Sequence, residues 1–273
     1  MPLLPVSELE KLSPVFRGKA GRLLGEAARR LFAVASLSDK YDRVSRFRGV
    51  DFAAAMLDEL EVTCAVDGAG RLDRLPEGPF VTVSNHPYGG VDGLVLLRLI
   101  GERRPDFKVM VNEFLAYVEA LRPALILVNP TTDARRGVTD RNIQGVKEVI
   151  SRLSDGHPVG FFPSGAVSDL SLRGWSIRDR QWQEPLLRLL QKVKVPIVPV
   201  KFHDRNSLFF YLLGLVDWRL RTLRLPRELT NKQGRTLRVG IGETLSVEEQ
   251  LRHPDVADFG RWLRESVYGI PLK

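Results

Sequence analysis

Apolar residues recur along this chain at two different spacings, and the change from one to the other organises it. Over residues 16–37, Leu23, Leu24, Ala27, Ala28, Leu31 and Phe32 fall on one side of a helix, with Lys19, Arg22, Arg29 and Arg30 largely on the other. A second helix is expected over 51–60. After it, Leu60-Glu61-Val62-Thr63-Cys64-Ala65-Val66 alternates as a strand does and stops near Gly68-Ala69-Gly70. From Gly78 onward short apolar runs alternate with helical patterns. Strands are predicted over 80–84, 108–111, 124–128, 159–162, 195–200 and 236–241. Helices are predicted over 92–101, where Asp92 could cap the amino end, and over 113–121, 142–154 and 184–192. In the third of these, Ile143, Val146, Val149, Ile150 and Leu153 share one face. The alternation predicts an α/β fold: a mixed, mostly parallel sheet flanked by helices, with an N-terminal helical extension over 1–50 and one domain over 51–273.

Composition narrows the picture. At 273 residues, 44% hydrophobic and 27% charged, the chain reads as a globular protein able to bury a large core. A single cysteine, Cys64, excludes an intramolecular disulfide and a cysteine-rich zinc site, and suits a reducing compartment; its apolar surroundings read as core. The formal charge of +8 favours an anionic partner, whether phospholipid headgroups, nucleic acid or an acidic carrier protein. No apolar h-region follows Met1, so no signal peptide is expected, and no run approaches the ~18 apolar residues of a spanning helix. The longest apolar run, 208–216, is followed by Trp218, Arg219, Arg221 and Arg224, the order of an element lying in a membrane interface with its cations on an anionic leaflet; a buried core helix is the alternative.

Chemistry concentrates at two turns. His86 directly follows the strand over 80–84, in Asn85-His86-Pro87-Tyr88-Gly89-Gly90-Val91-Asp92, and ligand sites of open α/β sheets gather at such carboxyl ends of strands. A histidine and a carboxylate on one tight turn can form the pair in which the carboxylate orients the ring and leaves the other nitrogen as a base. Gly89 and Gly90 are expected to let the two approach. The alternative is an incidental histidine in a surface turn. The second turn, Phe162-Pro163-Ser164-Gly165-Ala166, follows another buried strand and could offer N–H groups near Gly165 to a phosphate or an oxyanion, although a plain Pro-Gly turn would also account for it.

Asn85-His86 followed by Asp92, then Phe162-Pro163-Ser164-Gly165, then Val195-Pro196-Ile197-Val198-Pro199-Val200, resemble in order and spacing the lysophospholipid acyltransferase family, over roughly residues 57–246. The resemblance implies an O-acyltransferase in which His86 is the general base, Asp92 its orienting partner, and Asn85, Gly89, Gly90, Pro163, Ser164 and Gly165 line the substrate site. It implies an acyl thioester, of acyl carrier protein or coenzyme A, as co-substrate, with no metal and no other cofactor. Five residues separate His86 from Asp92 where the common pattern has four. A bacterial subgroup that includes hemolysin-like proteins and makers of acylated amino-acid lipids is similar in having Asn-His-Pro-aromatic-Gly-Gly here. Ser164 stands where phosphate-binding members carry Glu, and the segment 129–136, with Arg135 and Arg136 as candidate substrate contacts, lies in the interval of the arginine motif without matching it. The implied acceptor is therefore a lyso-lipid rather than glycerol-3-phosphate, met by a peripheral protein on the cytoplasmic side of an anionic membrane.

The rival reading is a non-enzymatic basic protein binding anionic membrane or nucleic acid. Its cations are scattered rather than clustered, and no nucleic-acid motif appears, so no nucleic-acid partner is expected. His203 follows the strand over 195–200 and is a further candidate for the site, whereas His157 and His253 read as turn residues. Arg103, Arg104 and Lys108 could meet an acidic carrier, although a solvated charge run accounts for them as well.

Overall fold

The computed structural model describes residues 34–129, 140–172 and 174–272, together with Gly18. Its elements begin with helices α1 (Val34–Val44) and α2 (Gly49–Glu59), strands β1 (Thr63–Asp67) and β2 (Val81–Ser84), and helix α3 (Gly90–Gly101). There follow β3 (Lys108–Asn112), β4 (Leu125–Val128), α4 (Asp140–Ser154), β5 (Val159–Phe161), and a hairpin of β6 (Asp169–Ser171) and β7 (Ser176–Arg178). The remainder is α5 (Glu184–Val193), β8 (Ile197–Phe202), α6 (Leu208–Val216), α7 (Trp218–Leu223), α8 (Leu225–Thr230), β9 (Thr236–Ile241), α9 (Val247–Leu251) and α10 (Val256–Tyr268).

All four residues of β2 are buried, as expected of a strand covered on both faces. It is the middle of seven strands ordered β1-β9-β8-β2-β5-β3-β4, and it pairs in parallel with β5 and β8. The sheet is mixed because β9 runs antiparallel to β8 while pairing in parallel with β1. Side chains alternate between two cores. Phe52, Leu57, Val95, Ile100, Val198 and Val200 form one under α2 and α3; Val81, Val83, Val149, Leu190, Phe259 and Leu263 form the other under α4, α5 and α10. Gly101 allows α2 to cross α3 closely, since a Cβ there would come within 2.6 Å of Val50.

The expected α/β architecture is the one observed, and the predicted strands fall within about three residues of their positions. Asp92 is the third residue of α3 rather than its cap, the cap position being held by Gly89. The helix predicted over 113–121 is a pair of 3₁₀ turns, Glu113–Tyr117 and Glu119–Ala124. Ile143 and Ile150 are exposed, because α4 turns Gly145, Val149 and Leu153 inward. Of the helix expected over 16–37 only Gly18 and the last residues are described, the latter as the start of α1, and the rest lies outside the described residues. The expected division at residue 50 falls inside α2, and Leu37 and Val44 of α1 join the same core as α2 and α3. The hairpin and helices α8 to α10 carried no expectation, and α7 (Trp218–Leu223) falls at the end of the element expected to lie in a membrane interface. No helix among the described residues is long and apolar enough to cross a membrane.

Candidate active site

Where β2 ends, the Asn85 side chain pins the chain to β8: its Nδ2 donates to the Phe202 carbonyl at 2.9 Å and its Oδ1 accepts from the Phe202 N–H at 2.8 Å. Asn85, expected to touch substrate, has its amide committed to this backbone and fixes the turn instead. Gly89 then adopts φ 84, ψ −122, a conformation closed to L side chains, and the chain reverses into α3. Gly90 needs no such freedom, since a Cβ on it would meet nothing within 4 Å.

The reversal brings Nδ1 of His86 to 2.9 Å from Oδ2 of Asp92. The distance is that of a hydrogen bond but the angle is bent outside ordinary hydrogen-bond geometry, a common state of catalytic pairs without substrate. Oδ2 also accepts from the N–H groups of Tyr88 at 2.9 Å and Gly89 at 3.0 Å, so the carboxylate is fixed by the turn it closes. Asp92 is fully buried. Burial raises its carboxyl above the ordinary value, and the His86 ring and the two N–H groups oppose the rise. The His86 ring stacks on Phe162 with centroids 4.1 Å apart, and its side chain is 17% exposed. Its Nε2 has no hydrogen-bond partner among the described residues. A ring with Nδ1 facing a carboxylate and Nε2 open can take a proton from a hydroxyl.

Residues that the sequence did not single out hold this turn. The His86 N–H donates to Oδ1 of Asp179 at 3.1 Å, the same oxygen that accepts from the Ser168 hydroxyl at 2.6 Å, and the His86 carbonyl accepts from the Ser168 N–H at 2.9 Å. Tyr211 of α6 donates its hydroxyl to the Pro87 carbonyl at 3.1 Å, and Nδ2 of Asn206 donates to the Tyr88 carbonyl at 3.2 Å. Lys232, buried with its Nζ 3.0 Å from Oδ1 of Asn206, sits over the Tyr88 ring.

The second turn is tied to itself and to Gln183. The Pro163 carbonyl accepts from the Gln183 N–H at 2.9 Å, the Ser164 hydroxyl donates to the Ala166 carbonyl at 2.7 Å, and the Gly165 N–H donates to the Phe162 carbonyl at 2.9 Å. The oxyanion donor expected at Gly165 is therefore already engaged. His203 leaves the site altogether. Lys201, two residues earlier on the same face, donates to the carbonyls of Tyr268 and Ile270, and the His203 ring lies over Gly240 on that side. Burial and the cations of Lys201 and Arg238 lower its pKa.

Arg103, Arg104 and Lys108 occupy the opposite end of the sheet. Arg104 donates to the carbonyls of Pro76, Glu77 and Gly78, just before β2 begins, while Arg103 pairs with Asp73 and Lys108 with Glu148. His157 and His253 are turn residues bound to Asp106 and Asp258. Arg135 and Arg136 lie outside the described residues. No cluster of three or more metal-ligating side chains occurs among the described residues. Cys64 is half-buried, and burial pushes its thiol up to about 11. Two of the three arginines expected to face a membrane turn inward: Arg221 is buried and bound to the carbonyls of Val167 and Ser168 and to Asp169, and Arg224 pairs with Glu228 at 3.0 Å, while the Arg219 side chain lies outside the described residues.

The site thus comprises a His–Asp turn at the carboxyl end of the middle strand of a mixed, mostly parallel sheet. The acyltransferase family model matches residues 37–270, and the chain belongs to the lysophospholipid acyltransferase family. It is 28% identical over 230 residues to a lyso-glycine lipid O-acyltransferase of Phocaeicola vulgatus, covering 81% of this chain and 78% of that one. A protein of the same description from Bacteroides thetaiotaomicron is also 28% identical over 230 residues, covering 81% and 80%. The fold is similar to that of the 1-acyl-sn-glycerophosphate acyltransferase PlsC of Thermotoga maritima, with a TM-score of 0.50 at 16% identity, covering 84% of this chain and 77% of that chain.

Proposed function

We propose that the protein transfers a fatty acyl chain from an acyl thioester to the hydroxyl of a lyso-lipid, with His86 as general base and Asp92 as its orienting partner. The observation that carries this reading is the placement of Nδ1 of His86 against the buried Asp92, with Nε2 left open. Nε2 takes the acceptor's hydroxyl proton as its oxygen attacks the thioester carbonyl carbon. The C–S bond then breaks, and the thiol of acyl carrier protein or coenzyme A leaves with a proton returned from the imidazolium. Phe162 holds the ring from one face. The name shared by two relatives, lyso-glycine lipid O-acyltransferase, supports an amphiphile already carrying one acyl chain as acceptor. Ser164, buried in its own turn where phosphate-binding members of the family carry Glu, supports this too. The reaction belongs to a peripheral protein on the cytoplasmic side of a membrane, a placement supported by the single free cysteine.

Incubation of the purified protein with acyl carrier protein and coenzyme A thioesters, a panel of lyso-lipids and glycerol-3-phosphate tests the reading. A diacylated lipid seen by mass spectrometry is expected, whereas efficient acylation of glycerol-3-phosphate alone contradicts the proposed acceptor.

A further inference from the structure

Helix α6 contains no charged residue. On its inner side Phe210 and Tyr211 are buried against Leu170 of β6, with Val167, Ile177 and Leu225 packed around them. On its outer side Leu208, Phe209, Leu212, Leu215 and Val216 are all exposed, Val216 to 77%. Their spacing of i, i+1, i+4, i+7 and i+8 places them in one stripe along the helix. A helix facing water carries polar residues at such positions, and a contiguous apolar stripe marks a surface that something apolar covers.

We propose that this stripe is the surface by which the protein docks on a lipid bilayer, entering it with hydrocarbon side chains rather than holding it by charge. The proposal rests on the reading that the acceptor is a lyso-lipid. Three observations select hydrocarbon as the occupant. Two cations beside the stripe face the protein: Arg221 is consumed by Val167, Ser168 and Asp169, and Arg224 by Glu228 and the face of the Phe209 ring, 4.5 Å from its centroid. An acidic protein or a nucleic acid would thus find no counter-charge from Arg221 or Arg224. The same helix reaches the proposed base from its other side, since Tyr211 donates to the Pro87 carbonyl next to His86. A bilayer under α6 therefore lies beside the site where the acceptor reacts. A second apolar element adjoins it. Strand β6 packs on α6, and the turn of its hairpin exposes Leu172 and Trp175.

The test is flotation of the full-length protein with vesicles of phosphatidylcholine alone and of phosphatidylcholine with anionic phosphatidylglycerol, comparing wild type with the Leu212→Ser/Leu215→Ser/Val216→Ser variant. All three positions are solvent-exposed, and circular dichroism checks that the variant folds. Wild type is expected to bind neutral vesicles and to stay bound from about 50 to about 500 mM salt, because hydrocarbon insertion is not screened. The variant is expected to bind at least about tenfold more weakly, while acylating a detergent-dispersed acceptor like wild type. Binding by wild type only to anionic vesicles, lost at high salt, would overturn the proposal, as would equal binding by the folded variant. Absence of vesicle binding also overturns it. A wild-type dimer that the substitutions make monomeric would then assign the stripe to a second copy, and a fall in the variant's melting temperature would assign it to the chain's own residues 1–33. Vesicle binding without any acyl transfer would sink the transferase reading and leave the docking surface standing; transfer to dispersed acceptor without vesicle binding would do the reverse.

Discussion

The backbone N–H of His86 donates to Oδ1 of Asp179 at 3.1 Å, across 93 residues of sequence. The same oxygen accepts from the Ser168 hydroxyl, while the Ser168 N–H returns a bond to the His86 carbonyl. Both backbone groups of the proposed base are thus gripped by the segment that carries the β6–β7 hairpin. Asp179→Ala leaves the His86 N–H and the Ser168 hydroxyl without their shared acceptor, at a cost of about 1–3 kcal/mol for each donor left unpaired, and frees the ring to drift. The expected outcome is a fall in kcat of about tenfold or more with the KM for both substrates little changed. Asp179→Asn, which keeps an acceptor oxygen, is expected to recover most of it. Steady-state kinetics of the two variants, read beside their melting temperatures, check this.

Gly89 and Gly90 make opposite predictions although they are neighbours. At Gly89 a side chain would be strained by φ 84 and would meet Leu225 at 3.0 Å and Val167 at 3.2 Å. Gly89→Ala is therefore expected to cost about 1–3 kcal/mol and to pull Asp92 away from His86. Gly90→Ala, in open space at the first turn of α3, is expected to be neutral or slightly stabilising. Denaturant unfolding of both variants separates them.

Asp92 ties stability to pH. Burial raises its carboxyl, so folding favours the protonated form relative to the unfolded chain. The stability this contributes is fully present below the ordinary value of 3.8 and is lost as pH rises through the folded value. As pH rises through the folded value, the wild type acquires a buried charge that Asp92→Asn lacks. The melting temperature of Asp92→Asn relative to wild type is expected to rise with pH and then level off, while its transfer rate stays at least about a hundredfold lower. Thermal melts across pH, paired with rates, check both halves; a variant as active as wild type would remove Asp92 from the mechanism.

Cys64 should be chemically quiet. With its thiol pushed up to about 11 it stays protonated at pH 8, so alkylation by iodoacetamide is expected to be slow in the folded protein and fast after unfolding. Cys64→Ser should leave transfer unchanged, and mass spectrometry of the labelled protein together with a rate measurement checks both expectations.

How much of this was legible in the sequence depended on whether the signal was local. The strands and the helix after His86 are short periodic runs bounded by turn residues, and the His86–Asp92 approach is encoded in one turn with Gly89 at its pivot. Asp179 was hidden because its role exists only once β5, the hairpin and α10 have folded together; its N–H donates to the Tyr268 hydroxyl and its carbonyl accepts from Arg264. His203 misled because proximity to a strand end does not say which face the ring takes, and strand alternation sends it to the side of Lys201. Arg221 and Arg224 misled in the same way: charge read along the sequence is silent on direction, and both side chains turn toward buried or half-buried acceptors. What the apolar run over 208–216 did signal was a helix whose two sides both favour hydrocarbon.

The central claim is that Nε2 of His86 takes the proton in an acyl transfer, and the most direct measurement is the transfer rate of His86→Ala with a radiolabelled acyl thioester and the preferred lyso-lipid. A folded His86→Ala protein is expected to lose about 10²–10⁴ in rate. Its binding of the lyso-lipid should remain close to that of wild type. Wild-type turnover in that folded variant would contradict the account.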